Sequence, residues 1–236
     1  EDILYSNKPH IGTDVLRDVV KNMRNKMLSM GAEFKYNTTL TNLILEDNKI
    51  KAIEVNNNEI IPCDSLVLAI GHSARDTFKM LFDKNINMTS KPFAVGVRIE
   101  HPQKMINMSQ YGYEYHPNLP EASYKLTYQT KQNRGVYSFC MCPGGYVVNA
   151  SSEEGLLAVN GMSNHARDTE NANSALVVTI SPDDFGNNPL DGIKFQRELE
   201  RKAYIEGNSL IPVQLYKDFK NDNVSDMFGN TNPIFK

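Results

Sequence analysis

The chain has no tryptophan, only three cysteines in 236 residues, and no excess of either charge: 25 Lys and Arg against 28 Asp and Glu give a formal net charge of −3. Each shortage excludes something. With no basic field and no block of lysines, nucleic acid is not an expected partner. Cys63, Cys140 and Cys142 form no Cys-x-x-Cys pair and have no His at zinc-finger spacing, so free thiols in the cytoplasm are the expectation. No apolar run approaches the ~18 residues that span a bilayer. The opening residues EDILYSNKPH lack the charged-then-apolar order of a signal peptide, and no membrane partner is expected. Also missing are Gly-x-Gly-x-x-Gly and the phosphate loop Gly-x-x-x-x-Gly-Lys-Ser/Thr, the Gly-x-Ser-x-Gly elbow, and the His-Glu-x-x-His metal pair. The chain does not begin with Met and ends on Asn232-Pro233-Ile234-Phe235-Lys236 without a closing helix or strand; it reads as a piece of something longer.

What is present is enough for a substantial core. Gly12-Thr13-Asp14 opens a helix, with Thr13 as cap and apolar residues at Leu16, Val20, Met23, Met27 and Met30, and Gly31 stops it. Short segments with β-type alternation follow at Glu33 to Tyr36, Thr39 to Glu46, Lys49 to Asn56 and Glu59 to Cys63. Asp47-Asn48 and Asn56-Asn57-Asn58 break them into a meander. Leu66-Val67-Leu68-Ala69-Ile70 reads as a strand buried on both faces, ended by Gly71, with Ser73 capping a helix over Ala74 to Asp83.

From Lys91 the chain is β-rich. Strands are predicted at Phe93 to Glu100, Tyr124 to Thr130, Val136 to Met141, Tyr146 to Ala150, Leu156 to Asn160 and Ala175 to Ile180. A short helix is predicted at Pro102 to Met108, and a longer one over Leu190 to Glu206 stopped by Gly207. The domain expectation is 1–90 and 91–236, in a mixed α+β or α/β class.

Four clusters carry candidate chemistry. The helix start His10-Ile11-Gly12-Thr13 aims backbone N–H groups at whatever lies in front, an electron-rich group or nothing. Arg98-Ile99-Glu100-His101 ends a strand, with Arg98 and Glu100 on one face by period two and His101 suited to proton transfer near neutrality; it reads as a relay or as a surface ion pair. Cys140 and Cys142, two apart on a strand, read as a redox pair or as structural thiols. Asn160-Gly161-Met162-Ser163, through Arg167-Asp168 and with Asn171-Ala172-Asn173-Ser174 after it, reads as a polar loop that could donate several hydrogen bonds to a bound ring or substrate, or as an ordinary loop. A fifth feature is Ala69-Ile70-Gly71-His72, where a buried strand ends as dinucleotide crevices do.

The segments KPHIGTD (8–14), LVLAIGHSARDTF (66–78), KPFAVGVRIEHPQ (91–103), YSFCMCPGGYVV (137–148) and NGMSNHARD (160–168) together resemble the uncharacterised bacterial FAD-dependent dehydrogenases, large flavoproteins of the glutathione-reductase-like group. The resemblance runs from about Lys8 to Phe219 and implies a partial FAD-binding, Rossmann-like domain (helix, meander, buried parallel strand) followed by a β-rich substrate domain. In that group a Gly-x-Gly-x-x-Gly turn grips the pyrophosphate, and this chain lacks it. The resemblance further implies that Leu40 lies near the adenine, that Ala69, Ile70, Gly71 and His72 line the dinucleotide crevice, and that His10 to Thr13 approach the flavin.

The expected activity is two-electron transfer between FAD and a small organic substrate or a nicotinamide, with NAD(P)H as a possible donor. Arg98, Glu100 and His101 would orient the substrate, and Cys140 and Cys142 are candidate redox partners. Two other readings stand beside it: an interaction module built on Tyr111-Gly112-Tyr113-Glu114-Tyr115, and a flavin-dependent RNA-modifying enzyme, which the lack of a basic run disfavours.

Overall fold

The computed structural model of the chain describes residues 10–225; Lys8, Pro9 and the closing Asn232 to Lys236 lie outside them. The described residues form two compact units, one of residues 10–25, 92–181 and 197–225, the other of residues 26–91 and 182–196. The class is α+β, with antiparallel sheets and interspersed helices. No helix among the described residues is long and apolar enough to cross a membrane.

Helix α1 (Thr13–Ser29) begins as the sequence suggests but not by the expected cap. Its first backbone bond runs from the Leu16 N–H to the Gly12 carbonyl, while the Thr13 hydroxyl turns away to the Ser163 carbonyl at 3.2 Å. Gly31, at φ 91°, closes the helix, and the Ala32 N–H returns to the Met27 carbonyl.

In the smaller unit, β1 (Leu40–Glu46), β2 (Lys49–Val55) and β3 (Glu59–Pro62) make the expected meander in the order β1-β2-β3. Asp47 and Asn48, at φ 49° and 59°, form the two-residue turn whose left-handed pair matches the twist of the strands it joins. Leu43, Ala52 and Val55 are buried in this meander. Helix α2 (Arg75–Asp83) packs on β1 and buries Leu81.

Three sequence expectations fail in this unit. Residues 65–70 are not a strand, and Val67 is 88% exposed. A parallel strand exists only through hydrogen bonds to neighbours, and no described strand pairs with this one. Residues 33–36 likewise join none of the described sheets. Helix α2 is preceded by Ala74 with no side-chain cap; the Ser73 carbonyl, not its hydroxyl, takes the Arg75 N–H.

The larger unit is built on a four-stranded antiparallel sheet in the order β4-β9-β6-β5, from β4 (Phe93–Pro102), β5 (Thr127–Gln129), β6 (Gly135–Cys142) and β9 (Asn171–Ile180). β4 and β9 pair without a break from Phe93↔Ile180 to Pro102↔Asn171. β7 (Gly145–Asn149) and β8 (Val159–Ser163) form a separate antiparallel pair.

Helix α3 (Gln103–Tyr111) follows β4 and ends at Gly112, φ 76°. After the short α4 (Pro182–Phe185) comes α5 (Asp191–Glu206), whose residues from Arg197 onward belong to this unit. There the Arg197 guanidinium meets Glu153 at 2.9 Å, and the Leu157 N–H donates to the Glu200 carbonyl. Leu156 and Leu157 are therefore buried in a loop, and the strand expected at Leu156 to Asn160 starts only at Val159.

The strand expected from Tyr124 shortens to β5 because the Leu126 N–H is taken by the Ser138 hydroxyl at 2.7 Å. After α5 the left-handed residues are Asn208 and Ser209 rather than Gly207. The short helix α6 (Tyr216–Asn221) is the last element among the described residues.

Candidate functional site

Arg98 sits on β4 opposite Ala175 of β9, so its same-face diagonal neighbour is Asn173. The guanidinium uses that diagonal. Arg98 Nε donates to Asn173 Oδ1 at 2.6 Å, and Nη2 donates to the Cys140 carbonyl at 2.6 Å and lies 3.5 Å from Cys142 Sγ. Glu100, two residues on, faces Asn173 and accepts from Asn171 Nδ2, again one diagonal step away, at 2.8 Å. Each ionisable group thus meets an asparagine of β9.

Gly161 of β8 closes this face. A Cβ at Gly161 would sit on the Arg98 guanidinium and on Asn173 Oδ1. The segment read from the sequence as a loop around Gly161 is therefore a strand brought close to Arg98 by the absence of a side chain. Asn173 is completely buried, and its Nδ2 has no partner among the described residues.

Cys140 and Cys142 do not alternate as an ordinary strand would place them. Between Phe139↔Ala175 and Cys142↔Asn173 the register slips by one residue, and Cys140 takes φ 46°, a left-handed value rare outside glycine and asparagine. Cys140 is exposed, whereas Cys142 is part-buried with Sγ 3.4 Å from the Cys140 carbonyl. Burial pushes the Cys142 thiol pKa up, and the Arg98 charge only partly opposes it. All three cysteines are free thiols.

His101 lies on the opposite side of β4 from Arg98 and Glu100, by the same period-two geometry. Its Nε2 is 2.8 Å from the Tyr124 hydroxyl, with the rings tilted and their centroids 5.5 Å apart. His101 Nδ1 is buried with no partner among the described residues. Burial holds the imidazole pKa below its ordinary 6.5 and raises that of Tyr124. Because the folded state disfavours the imidazolium, the unfolded chain binds the extra proton first as pH falls below about 6.5. Stability is full above that value and declines toward the depressed folded pKa. Thermal unfolding from pH 7.5 to 5 should show this acid slope in the parent and a flatter one in His101→Phe.

The helix start pairs with the second polar cluster inside the same unit. His10 Nε2 is 3.0 Å from the Asn164 carbonyl, His165 Nδ1 is 2.8 Å from the Ile11 carbonyl, and the two imidazoles stack at 6.1 Å. Asp14 accepts the His165 N–H at 2.8 Å, which holds its carboxyl below the usual range. Gly12 is required here: a Cβ would strike the His165 backbone. Ile11 is 44% exposed.

The remaining candidates belong to the smaller unit. Leu40 opens β1; Ala69 and His72 are exposed, and Ile70 is half-buried. Gly71 has φ 65°, is exposed, and has no atom of the described residues within 4 Å of where a Cβ would sit. The glycine that ends the apolar run is thus open rather than sealed beneath packed side chains.

Sequence reading missed Tyr124, which lies 23 positions from His101 and carries no local signal. It singled out Asn171-Ala172-Asn173-Ser174 as part of a polar loop, whereas these four open strand β9 and are buried.

The family model described as "FAD-dependent protein, C-terminal domain-like" matches residues 92–236. The chain belongs to that family. A protein of Clostridium beijerinckii (strain ATCC 51743 / NCIMB 8052), described as an uncharacterized protein, is 54% identical over 239 residues, which take in 99% of this chain and 45% of that protein. The chain therefore spans about half the length of the curated relative it matches. The matched region contains the whole β4-β9-β6-β5 sheet, so Arg98, Glu100, His101, Cys140, Cys142 and Gly161 all lie in the FAD-dependent family's C-terminal domain. His10 to Thr13, Leu40 and Ala69 to His72 precede it.

Proposed function

We propose that this chain is part of an FAD-dependent oxidoreductase that moves two electrons between the flavin and a small organic substrate or a nicotinamide in the cytoplasm. The family supplies the flavin association, and one observation supports this chain's share in it: Gly71 presents bare backbone with free space beside it. A dinucleotide can lie directly against such a peptide. Ala69, Ile70 and His72 would line the same approach, and Leu40 would lie near the adenine. FAD, when bound, supplies the two-electron carrier.

The chain's own residues supply position and protons. His101, kept neutral by burial and hydrogen-bonded to Tyr124, is the proton-handling group. Glu100 and Asn171 form a polar pair on the other face of the strand. Arg98 has Nε and Nη2 committed to Asn173 and the Cys140 carbonyl, so its role is to hold that wall and lend positive charge.

The test is FAD binding followed by flavin fluorescence, on this chain and on the longer Clostridium relative side by side. The relative should hold FAD, the 236-residue chain should bind it weakly or not at all, and leucine at the relative's counterpart of Gly71 should abolish binding without unfolding. A relative that neither purifies with flavin nor takes it up would overturn the proposal. Reduction of the relative's flavin by a panel of donors, NADH and NADPH included, then identifies the substrate side.

A further inference from the structure

The bulge at the end of β6 joins an exposed thiol on left-handed backbone and a second thiol two residues on, neither of which the proposed function uses, with a guanidinium touching both residues. We propose that Cys140 and Cys142 are a peroxide-responsive pair, in which Cys140 is oxidised first and Cys142 then closes an intramolecular disulfide.

Reach comes first. Even in a fully extended chain, residues two apart have Cα atoms no more than about 6.6–7.2 Å apart, close to the ~6.8 Å upper limit for disulfides. Cys142 Sγ already lies 3.4 Å from the carbonyl oxygen of Cys140, so the second thiol folds back over the first residue. Access orders the two steps: Cys140 is exposed and meets solute, while Cys142 is part-buried. The left-handed φ of 46° at Cys140 is backbone that L-residues avoid. It persists here with the Cys140 carbonyl held by Arg98 Nη2 at 2.6 Å.

Each step balances with hydrogen peroxide as the oxidant. Cys140 loses its proton and the thiolate attacks one peroxide oxygen; the O–O bond breaks, leaving Cys140 sulfenic acid and a hydroxide that takes up the released proton as water. Cys142 sulfur then attacks the Cys140 sulfur, losing its proton. The S–S bond forms, the S–O bond breaks, and a second water leaves. Arg98, 3.5 Å from Cys142 Sγ, stabilises the thiolate formed as Cys142 gives up its proton to attack. Burial keeps Cys142 protonated until then, which suits a resolving rather than an attacking thiol.

The proposal stands without bound flavin and is tested on the chain as it is, in a Cys63→Ser background that removes the remaining cysteine. After peroxide, the intact mass should fall by two hydrogens, iodoacetamide should add to neither thiol, and dithiothreitol should restore both. In Cys142→Ser, dimedone should trap the sulfenic acid on Cys140. In Cys140→Ser, Cys142 should react about ten-fold more slowly, as its protonation and burial require. Two thiols still alkylatable after peroxide, a disulfide only between chains, or a Cys140→Ser protein oxidised as fast as the parent would each overturn it. The first measurement uses both native thiols, so the result survives a variant that fails to fold.

Discussion

Gly144→Ala is expected to destabilise the larger unit by about 2–4 kcal/mol, combining the strain of a non-glycine residue at positive φ with overpacking against fixed atoms. Gly144 has φ 47°, and a Cβ there would fall on the carbonyl and Cα of Arg167. Those are backbone atoms, so no side-chain rotation relieves the clash. The damage should spread along a defined path. The Gly144 N–H donates to Gln103 Oε1 at 2.8 Å. Gln103 Nε2 in turn holds Asn107 Oδ1 and the Ala122 carbonyl, both at 2.9 Å. Asn107 Nδ2 reaches the Glu114 carbonyl and the Glu121 carboxylate.

A buried amide network of this kind fails as a unit when one member shifts. The loop carrying the exposed Tyr113 and Tyr115 should then become protease-sensitive. Gly71→Ala is the matching control: its φ is 65°, but no atom of the described residues lies within 4 Å, so only the conformational cost of about 1 kcal/mol applies. Urea unfolding followed by circular dichroism suits a chain without tryptophan. Equal losses at the two glycines would show that the Arg167 contact carries no weight.

How far the sequence could be read follows the range of the interactions involved. The meander was legible because its turns are local: Asp47-Asn48 and Asn56-Asn57 adopt positive φ from their own chemistry, and period two then places Leu43, Ala52 and Val55 inside. The shared face of Arg98 and Glu100 was legible for the same reason. Their partners were not, because Asn173 and Asn171 are reached only through the register of β4 on β9, more than 70 positions away.

Cys140 looked like an ordinary strand residue, since a bulge is a property of two strands in register and not of one. Residues 65–70 failed in the other direction. Apolar composition suits a strand in a parallel sheet, but composition supplies no neighbour to bond, and the segment runs exposed. The Gly161 segment looked like a loop because glycine and asparagine usually mark one. Here the glycine marks a close approach to Arg98 within a strand.

Removing the charge of Arg98 should reveal whether that approach is held by polar bonds or by shape. Arg98→Met keeps most of the stem volume but strips the donors from Asn173 Oδ1 and the Cys140 carbonyl. Asn173 is wholly buried and its Nδ2 already lacks a partner, so Arg98→Met would leave its entire amide unbonded. An unsatisfied buried group costs about 1–3 kcal/mol, and with two acceptors affected the single variant should lose about 2–4 kcal/mol.

Asn173→Leu alone should also be costly, because Arg98 Nε then faces an apolar group. The double variant Arg98→Met/Asn173→Leu replaces both partners, and such replacements are far closer to neutral than either half. It should recover at least half of the summed loss, a coupling that a double-mutant cycle in urea reads directly. Additive losses, or an Arg98→Met protein as stable as the parent, would mean that Gly161 and the bulge are held by packing alone and that the Arg98–Asn173 bond is incidental to the fold.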